Sequence, residues 1–357
     1  MNPNPTLREI AAKAGVSLYT VSLALRASPE ISETTRERVI ETARLLGYRP
    51  NPTLSALMRS IRQKSGHPRL TSVALVMPLN KPQWAGRHRY MADIAAGARA
   101  RCESLGYGYE QFIVSPGEPN ARHLQHVIEA RGIDGLLIGP HYGPSAHLGL
   151  DFTKLTYVSI GQTLTDIPSH RIDTTTLPNI RMALANTLEL GWDRPGIMLT
   201  DRNNDVIENM MLGAYLGFMH RRTPNPPAPF IYTEAMHTPE NVLTWVRKAR
   251  VNAVLTSRAI VCKWLRDAGL RIGQDLGFAL LDCPQNSKEM AGVNQRLDEV
   301  GGSAVEVLGN CIHANARGVP AIPKIVEIEG KWKEGPSMPP RPAYPATLKR
   351  SKLKITT

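Results

Sequence analysis

The chain contains no hydrophobic run that approaches the length of a membrane-spanning helix, although 42% of its 357 residues are hydrophobic. Such a helix needs roughly 18 or more consecutive apolar residues, so we predict that the chain does not cross a membrane. Its first five residues lack the basic and apolar stretches of a secretory signal. We therefore expect a cytoplasmic protein of two or three folding units with ordinary buried cores.

Cysteine is scarce, and its spacing argues against a disulfide framework. The four cysteines, at positions 102, 262, 283 and 311, form no CxxC pair, so we predict reduced, structural thiols. His123 and His126 are spaced to share one helix face, but no third ligand follows at a recognisable spacing. We therefore predict no metal site and no cofactor.

Sequence signatures of enzymes are absent as well. The first predicted strand runs into Pro78-Leu79-Asn80 rather than into a glycine-rich dinucleotide turn, and no GxxxxGK[ST] loop occurs. No nucleophile and base signature stands out either. We predict that the chain is not an enzyme. Because doubly wound sheets host much chemistry, turnover of a sugar or a nucleotide would overturn that prediction.

Acidic residues are too few to balance the basic ones, and the excess lies at the two ends of the chain. The formal net charge is +12. Residues 1–66 contribute +5 and residues 337–357 another +5, whereas residues 67–336 contribute only +2. This asymmetry suits a polyanion-binding module attached to a domain with another task. Basic ends that are merely solvated would give the same totals.

Three short helices are predicted in the first 48 residues. A capping box over residues 6–9 precedes apolar residues at helical spacing, and Gly15 ends that helix. Ser17 caps a second helix over residues 18–26, and Ser32 begins a third. The third helix is predicted to bury Val39, Ile40, Ala43 and Leu46. This order is that of a helix-turn-helix unit, although a generic three-helix bundle would show the same core pattern.

Two stretches of this region carry a family resemblance. They are Thr6–Ser17 followed by Thr20-Val21-Ser22, and Ile31–Val39 continuing to Gly47–Asn51. Over about fifty consecutive residues they resemble the headpiece of the lactose-repressor family of transcription regulators. The resemblance implies a second helix that reads the major groove of DNA. It departs at Leu23, where many members have an arginine suited to guanine, so the operator sequence is not carried over.

The candidate DNA contacts follow from this unit and from the resemblance. Side chains at the start of the second helix would enter the groove, and others would lie near phosphates or in the hinge. We expect contacts from Thr6, Ser17, Leu18, Tyr19, Thr20, Ser22, Arg26, Ser32, Thr35, Tyr48, Asn51, Leu54 and Leu57.

A hinge is predicted after this headpiece. Pro50 and Pro52 disfavour helix in the residues before them, and Asn51 caps a new short helix. By resemblance to the family, this helix orders on DNA against that of a second copy, and Leu57 wedges between the central base pairs. The alternative is that Leu57 packs within a linker helix.

From Thr71 onward, apolar runs alternate with amphipathic helices. Strands are predicted at 72–77, 107–114, 135–138, 157–160, 196–200, 230–233, 253–256, 277–281 and 324–328. Helices are predicted between them, for instance at 92–105, 177–190, 206–220, 240–250 and 259–268. This order predicts two doubly wound, parallel-sheet α/β subdomains. Gly132–Ile138, Asp267–Ile272 and Asp275–Gly277 also resemble the family's sensor core, which is similar to periplasmic sugar-binding proteins. The predicted fold is therefore an all-α helix-turn-helix headpiece plus an α/β periplasmic-binding-protein-like core.

Polar residues near strand ends are the candidate effector contacts, because ligands in such folds collect at the carboxyl ends of strands. They are Asn80, Trp84, Asp173, Arg258, Asp282 and Gln295. Asp282 matches the first acid of the family's Phe-Asp-Asp signature, where a carboxylate accepts from two hydroxyls. For the others a surface or capping role stays open.

Two departures from the family weaken the prediction of a sugar ligand. Residues 208–213 lack the arginine with which many members bind their effector, and Ser257-Arg258 replaces an Asn-Asp pair. Arg258 would then receive an anionic ligand or pair with Asp282.

The sequence predicts four segments: a DNA-binding headpiece over residues 1–48, a hinge over 49–66, an effector-binding and dimerisation core over 67–336, and a basic, disordered tail over 337–357. We predict a cytoplasmic, nucleoid-associated transcription regulator, repression being the family's commoner output. It would bind a pseudo-palindromic DNA operator as a homodimer under control of a sugar-like or related small molecule. A solute-binding protein that serves a transporter is the alternative for the core, and it leaves the headpiece unexplained.

Overall fold

The computed structural model describes residues 5–25, 31–48, 71–78, 81–115, 123–140, 145–201, 207 and 209–341, with only the backbone of Ser22, residues 81–88 and Ala146. The whole of the predicted hinge, residues 49–66, and residues 342–357 lie outside this part of the chain. Five predicted contact residues also lie outside it, namely Arg26, Asn51, Leu54, Leu57 and Asn80, as do the side chains of Ser22 and Trp84.

The headpiece, residues 5–48, forms the three predicted helices. They are α1 (Leu7–Ala14), α2 (Leu18–Ala24) and α3 (Glu33–Leu45). The capping box is confirmed, because the Glu9 amide donates to Thr6 Oγ1 at 3.3 Å and the Thr6 amide donates to Glu9 Oε2 at 2.6 Å. Gly15 ends α1 with φ of +65°, in the left-handed region that glycine tolerates. Short local signals thus set the ends of these helices.

Small side chains fill the core of the headpiece. The buried cluster consists of Ile10, Ala11, Ala14, Val21, Ala24, Val39 and Ala43. The prediction that Ile40 is buried is wrong, since 47% of it is exposed. Val39 and Ala43 lie four residues apart on the inner face of α3, and Ile40 lies about 100° further around the helix. Leu46 packs partly buried against the cluster.

The first subdomain of the core is built on a six-stranded parallel sheet. Its strands are β1 (Ser72–Pro78), β2 (Gly108–Val114), β3 (Gly135–Ile138), β4 (Tyr157–Ile160), β5 (His170–Thr174) and β11 (Ile325–Ile328), in the order β11-β5-β4-β3-β1-β2. The helices α4 (Lys81–Leu105), α5 (Leu124–Arg131) and α10 (Leu297–Ala314) accompany them.

The second subdomain is built on a second six-stranded sheet. Its strands are β6 (Pro195–Thr200), β7 (Phe230–Tyr232), β8 (Ala253–Thr256), β9 (Gly277–Leu280), β10 (Ala291–Asn294) and β12 (Lys331–Lys333), in the order β12-β10-β9-β8-β6-β7. Its helices are α6 (Thr176–Glu189), α7 (Asn209–His220), α8 (Pro239–Lys248) and α9 (Ile260–Asp267). The described chain crosses between the subdomains three times: after β5, after β10 and after β11.

Four details correct the predicted core. The strands β5, β10 and β12 are not predicted, and β12 runs antiparallel to β10, so the second sheet is not wholly parallel. The helix α4 begins at Lys81 rather than at Ala92. The tail was predicted to begin at residue 337, which is too early. Ser337 and Met338 are buried, and the Ser337 hydroxyl donates to the Phe278 carbonyl at 2.7 Å.

Two glycines let α4 and α10 approach each other closely inside the first subdomain. A Cβ added to Gly97 would lie 1.8 Å from the Asp298 backbone oxygen, and one added to Gly301 would lie 2.1 Å from the Ile94 backbone oxygen. Any side chain at either position would therefore push the helices apart. Arg89 lies on α4, so this packing also positions an arginine at the boundary with the second subdomain.

Among the described helices, none combines the length and the apolar composition that a membrane crossing requires.

Candidate functional site: a recognition helix and an interdomain cleft

The first half of α2 presents the predicted base-reading residues to solvent. Leu18 and Tyr19 are 45% and 67% exposed, while Val21, nearly opposite Tyr19 around the helix, is buried in the headpiece core. Ser17 caps the helix by accepting from the Thr20 amide at 3.0 Å. Large apolar side chains at the exposed start of a short, capped helix have no packing role in the headpiece, so they are available to a partner.

The predicted phosphate contacts lie at helix beginnings. Thr6 and Ser32 are exposed N-cap residues of α1 and α3, and the Ser32 hydroxyl donates to Thr35 Oγ1 at 2.9 Å. Helix N-termini carry unpaired amides and a partial positive charge that favour phosphate. Tyr48 is half-buried and packs against the headpiece core. The structure therefore places these four side chains on the headpiece without testing their contact with DNA.

A cavity of about 470 Å³ lies between the two subdomains of the core. The predicted residues Asp173, Arg258, Asp282 and Gln295 all line it. They come from the ends of different strands, as expected for parallel sheets that face each other across a cleft. The four residues predicted from the sequence thus lie together in the structure. Their contact with an effector stays a prediction.

Asp282 is held by an arginine of the opposite subdomain. Arg89 Nη2 lies 3.2 Å from Asp282 Oδ1 and donates to the Asp282 carbonyl oxygen at 3.1 Å. Burial raises the pKa of Asp282, Arg89 opposes that rise, and Asp93 adds to it. The pair borders both this cavity and a second one of about 320 Å³. It joins the two walls of the cleft.

Asp173 and Gln295 lie beside the first and second crossings. Asp173 Oδ1 accepts from the Thr174 amide at 2.7 Å, and burial raises the pKa of this carboxyl despite that bond. The Gln295 side chain donates to the Leu281 carbonyl at 2.8 Å and accepts from the Thr174 hydroxyl at 3.4 Å. Gln295 thus connects the strand ends of the two subdomains.

Arg258 follows β8 on the wall opposite Arg89. Its Nε donates to the Tyr232 hydroxyl at 3.2 Å and its Nη2 donates to Glu234 Oε1 at 2.9 Å. Burial works to lower the pKa of Arg258, but Tyr232 and Glu234 outweigh burial and raise it. The structure thus pairs Arg258 with Glu234 rather than with Asp282, which was one of the two predicted roles.

Three side chains that line the cavity escape the sequence analysis. Arg89 is missed because the helix was predicted to begin after it. Tyr232 is read only as part of a strand, although it lines the cavity. Asn179 lies in the first turn of α6, and its Oδ1 accepts from the Gly330 amide at 2.9 Å and from the Thr175 hydroxyl at 3.2 Å. No local motif marks it, because the Gly330 amide lies 151 residues further along the chain.

Metal ligation and thiol chemistry find no support in the described part of the chain. There, no three His, Cys, Asp or Glu side chains come close enough together to hold a metal ion. The four cysteines are free thiols, three of them buried. Burial raises the pKa of each, that of Cys102 to about 11, which disfavours the reactive thiolate.

Comparison with known sequences finds one family model that matches the headpiece. Residues 6–51 match the sequence model described as "Bacterial regulatory proteins, lacI family". The regulator CelR of Thermobifida fusca is 30% identical over 196 residues, which is 53% of this chain and 54% of CelR. The chain matches about half the length of this and similar curated relatives.

Comparison with solved structures shows the same fold over nearly the whole chain. A complex of the regulator CelR with cellobiose superposes with a TM-score of 0.61 at 20% identity, covering 94% of this chain and all of that one. The lac repressor dimer bound to operator and the anti-inducer ONPF superposes with a TM-score of 0.57 at 17% identity, covering 93% and 98%. The predicted architecture, a helix-turn-helix headpiece and a core of two α/β subdomains, is confirmed.

Proposed function

We propose that the chain is a regulator of the lacI family and a cytoplasmic transcription repressor, because residues 6–51 match that family's model and the core shares the fold of such regulators. It binds a pseudo-palindromic DNA operator as a homodimer, and a small molecule in the interdomain cleft controls that binding. The headpiece supplies the DNA contacts and the core supplies the sensor and the dimer interface. No step of the proposed function requires catalysis.

The exposed start of α2 is the observation that carries the DNA-binding half of this proposal. Leu18 and Tyr19 project from a helix that is capped at Ser17 and anchored through buried Val21. A helix of this width fits the major groove, where a tyrosine hydroxyl reads hydrogen-bonding edges and a leucine meets a thymine methyl. Thr6, Ser32 and Thr35 would set the register through phosphates.

The cleft supports the sensor half of the proposal. It is lined from both subdomains, and it is large enough for a small ligand. A ligand that contacts both walls favours the closed arrangement by its differential affinity for that state. Closure would change the geometry of the dimer and with it the cost of ordering the hinge. Reciprocity requires that DNA change the affinity for the effector by the same factor.

A sugar or related metabolite is the proposed class of effector. The CelR relative is described in complex with cellobiose, which suggests the class without fixing the compound. Asp173, Asp282 and Gln295 are the residues proposed to meet its hydroxyls, and Asp282 would exchange part of its contact with Arg89 for the ligand.

Selection of duplexes from a random pool by purified full-length protein at physiological salt tests the DNA-binding half. We expect enrichment of a palindrome, with two half-sites that mirror the symmetry of a dimer. Tyr19→Ala should weaken binding to the selected duplex about tenfold while changing binding to random duplex little. Leu45→Ala, an exposed control at the far end of α3, should change neither.

Two results would contradict this half of the proposal. If the pool yields no enriched sequence, the headpiece does not read DNA. If Tyr19→Ala weakens selected and random duplexes equally, α2 is not the reading element. The same comparison with Leu57→Ala tests the proposed wedge, since loss of a central kink should affect the selected duplex far more than random DNA.

A further inference from the structure

The chemistry of the cleft narrows the class of effector, on the condition that the proposed function is right. We propose that the effector is a carboxylate-bearing polyol, a sugar acid, whose carboxylate binds Arg258. The remainder of the ligand lies among the hydroxyl and amide groups of the same cavity.

Arg258 differs from the other cleft arginine in the position of its counter-ion. Arg258 lines the cavity, but its partner Glu234 does not, and the Glu234 side chain is 71% exposed. The partner of Arg89, in contrast, is Asp282, which itself lines the cavity. Water screens an ion pair with so exposed a carboxylate and makes it weak. A ligand carboxylate inside the cavity therefore competes well with Glu234.

The guanidinium of Arg258 retains the donors that a carboxylate requires. It carries five N–H groups, and the contacts with Tyr232 and Glu234 occupy Nε and Nη2. The planar guanidinium matches the two oxygens of a carboxylate and forms short, charge-assisted hydrogen bonds with it. The Tyr232 contact also fixes the direction of the side chain from within the second subdomain.

The backbone beside Arg258 adds to the attraction for an anion. Helix α9 begins immediately after it, at Ile260, and Ala259 supplies no side-chain cap to its first amides. Ser257, Ala259 and Ile260 all line the cavity together with Arg258. The amino-terminal end of this helix, which carries a partial positive charge, thus borders the cleft.

A second and independent feature points to a ligand with several oxygens. Asn179 lines the cavity, is only 5% exposed, and its Nδ2 has no hydrogen-bond partner among the described residues. An unpaired buried amide is costly unless a bound molecule supplies an acceptor. Hydroxyls surround the same space, from Thr163, Thr174, Thr175, Thr176, Thr200 and Thr256. A polyol presents oxygens to such a lining, and its carboxylate meets Arg258.

Calorimetric titration of the full-length protein with matched acid and neutral ligands tests this inference. The pairs are D-gluconate with D-glucitol, D-glucuronate with D-glucose, and D-galacturonate with D-galactose. Glucose 6-phosphate distinguishes a phosphate from a carboxylate, and acetate tests the carboxylate without hydroxyls. We expect one acid to bind at least about tenfold more tightly than its neutral partner, and more tightly than the phosphate or acetate.

Three variants assign that preference to the arginine. Arg258→Gln should weaken binding of the acid about tenfold and leave binding of its neutral partner unchanged. Glu234→Gln should raise the affinity for the acid, because it removes the carboxylate that competes for Arg258. Arg266→Gln is the matched control, since Arg266 lies on α9 and pairs with Glu289 outside the cavity; it should change neither ligand.

Several results would overturn the inference. They are neutral ligands that bind as tightly as their acids, an Arg258→Gln variant that weakens both members of a pair equally, or no acid that binds. Its failure is distinct from failure of the proposed function. If a duplex is enriched and a neutral sugar releases it while the acids have no effect, the chain is a transcription regulator but its effector is not a sugar acid. If no duplex is enriched, the proposed DNA-binding function is wrong, and the titrations still show whether the cleft binds the acid in preference to its neutral partner.

Discussion

The headpiece and the interdomain cleft carry their functional groups in opposite ways. On α2 the side chains proposed to meet DNA project into solvent, Tyr19 most of all, and make no contribution to the headpiece core. In the cleft the charged side chains already have partners within the protein, as Arg89 has in Asp282 and Asp173 has in the Thr174 amide. The exposed side chains of α2 can therefore contact DNA without first breaking bonds within the protein. The side chains of the cleft must give up some of their present hydrogen bonds when a ligand binds.

This difference follows from how each region is assembled. The headpiece is held by contacts between helices that adjoin in sequence, and each helix carries its own cap. The cleft is assembled by two subdomains that the chain crosses three times, so partners such as Arg89 and Asp282 lie 193 residues apart. We therefore expect the headpiece and the core to respond separately to substitutions. The five tryptophans, all beyond residue 80, make fluorescence a probe of the core alone.

The largest effect is expected at the centre of the headpiece. Ile10→Ala should lower the free energy of unfolding of the headpiece by about 3–4 kcal/mol, because Ile10 is fully buried. A domain this small is only marginally stable, so that loss should unfold it. Circular dichroism should show loss of the headpiece helices, while the urea midpoint measured by tryptophan fluorescence stays unchanged. Ile40→Ala, at a 47% exposed position, should cost less than about 0.5 kcal/mol. A shift of the fluorescence midpoint by Ile10→Ala would mean that the two regions unfold together.

The next effect is expected where α4 and α10 meet in the core. Gly301→Ala should cost about 2–3 kcal/mol in urea unfolding, because the added Cβ meets the Ile94 backbone oxygen. The neighbouring Gly302 has 3.8 Å of clearance, so Gly302→Ala should be neutral or stabilise the helix by about 0.5–1 kcal/mol. Equal effects of the two substitutions would show that the close approach of the helices does not govern the stability of the core.

A smaller effect is expected from the ion pair across the cleft. Arg89→Gln should lower the free energy of unfolding by about 1 kcal/mol, because it leaves the more buried Asp282 without its cation. The loss is small because Arg89 is 41% exposed and water screens the pair. Arg101 has almost the same exposure but pairs with a half-exposed Glu306 inside one subdomain. Arg101→Gln should therefore cost less than about 0.5 kcal/mol. Equal costs would mean that the cleft pair behaves like any surface pair.

The smallest effect is expected from titration of Asp173. Its pKa is raised by burial, so ionisation is harder in the folded chain than in the unfolded one. The wild-type chain should lose stability relative to Asp173→Asn as the pH rises upward from the ordinary value of 3.8. Below that value the difference should be constant. Urea midpoints across this range measure the change, and a wild-type chain that gains stability relative to Asp173→Asn with rising pH would contradict the direction of the shift.

Sequence predicts the headpiece well because its determinants are local. The residues Thr6, Gly15 and Ser17 each act within four positions of themselves, so their roles can be read without knowledge of the fold. The one failure, Ile40, concerns which of two adjacent apolar residues faces inward, and that depends on the position of the other helices.

Sequence predicts the core only in part. Apolar strands such as β3 and β4 are found because all four residues in each are buried. The strand β5 is missed because its residues His170–Thr174 are mostly polar, and pairing with β4 and β11 is what makes them a strand. The residues lining the cleft from strand ends are found, but Arg89 and Asn179 are not. Arg89 contacts Asp282, 193 residues away, and Asn179 accepts from the Gly330 amide, 151 residues away, and no spacing along the chain reveals such partners.

The three crossings between the subdomains meet at one place, and this restricts how the cleft can move. Asn179 accepts hydrogen bonds from Thr175 in the first crossing and from Gly330 in the third. A Cβ on Gly330 would lie 2.8 Å from the Asn294 backbone oxygen, at the start of the second. Three connections this close together allow the two subdomains to rotate about them but oppose sliding of one subdomain past the other. A ligand in the cleft would therefore act mainly on the angle between the two sheets.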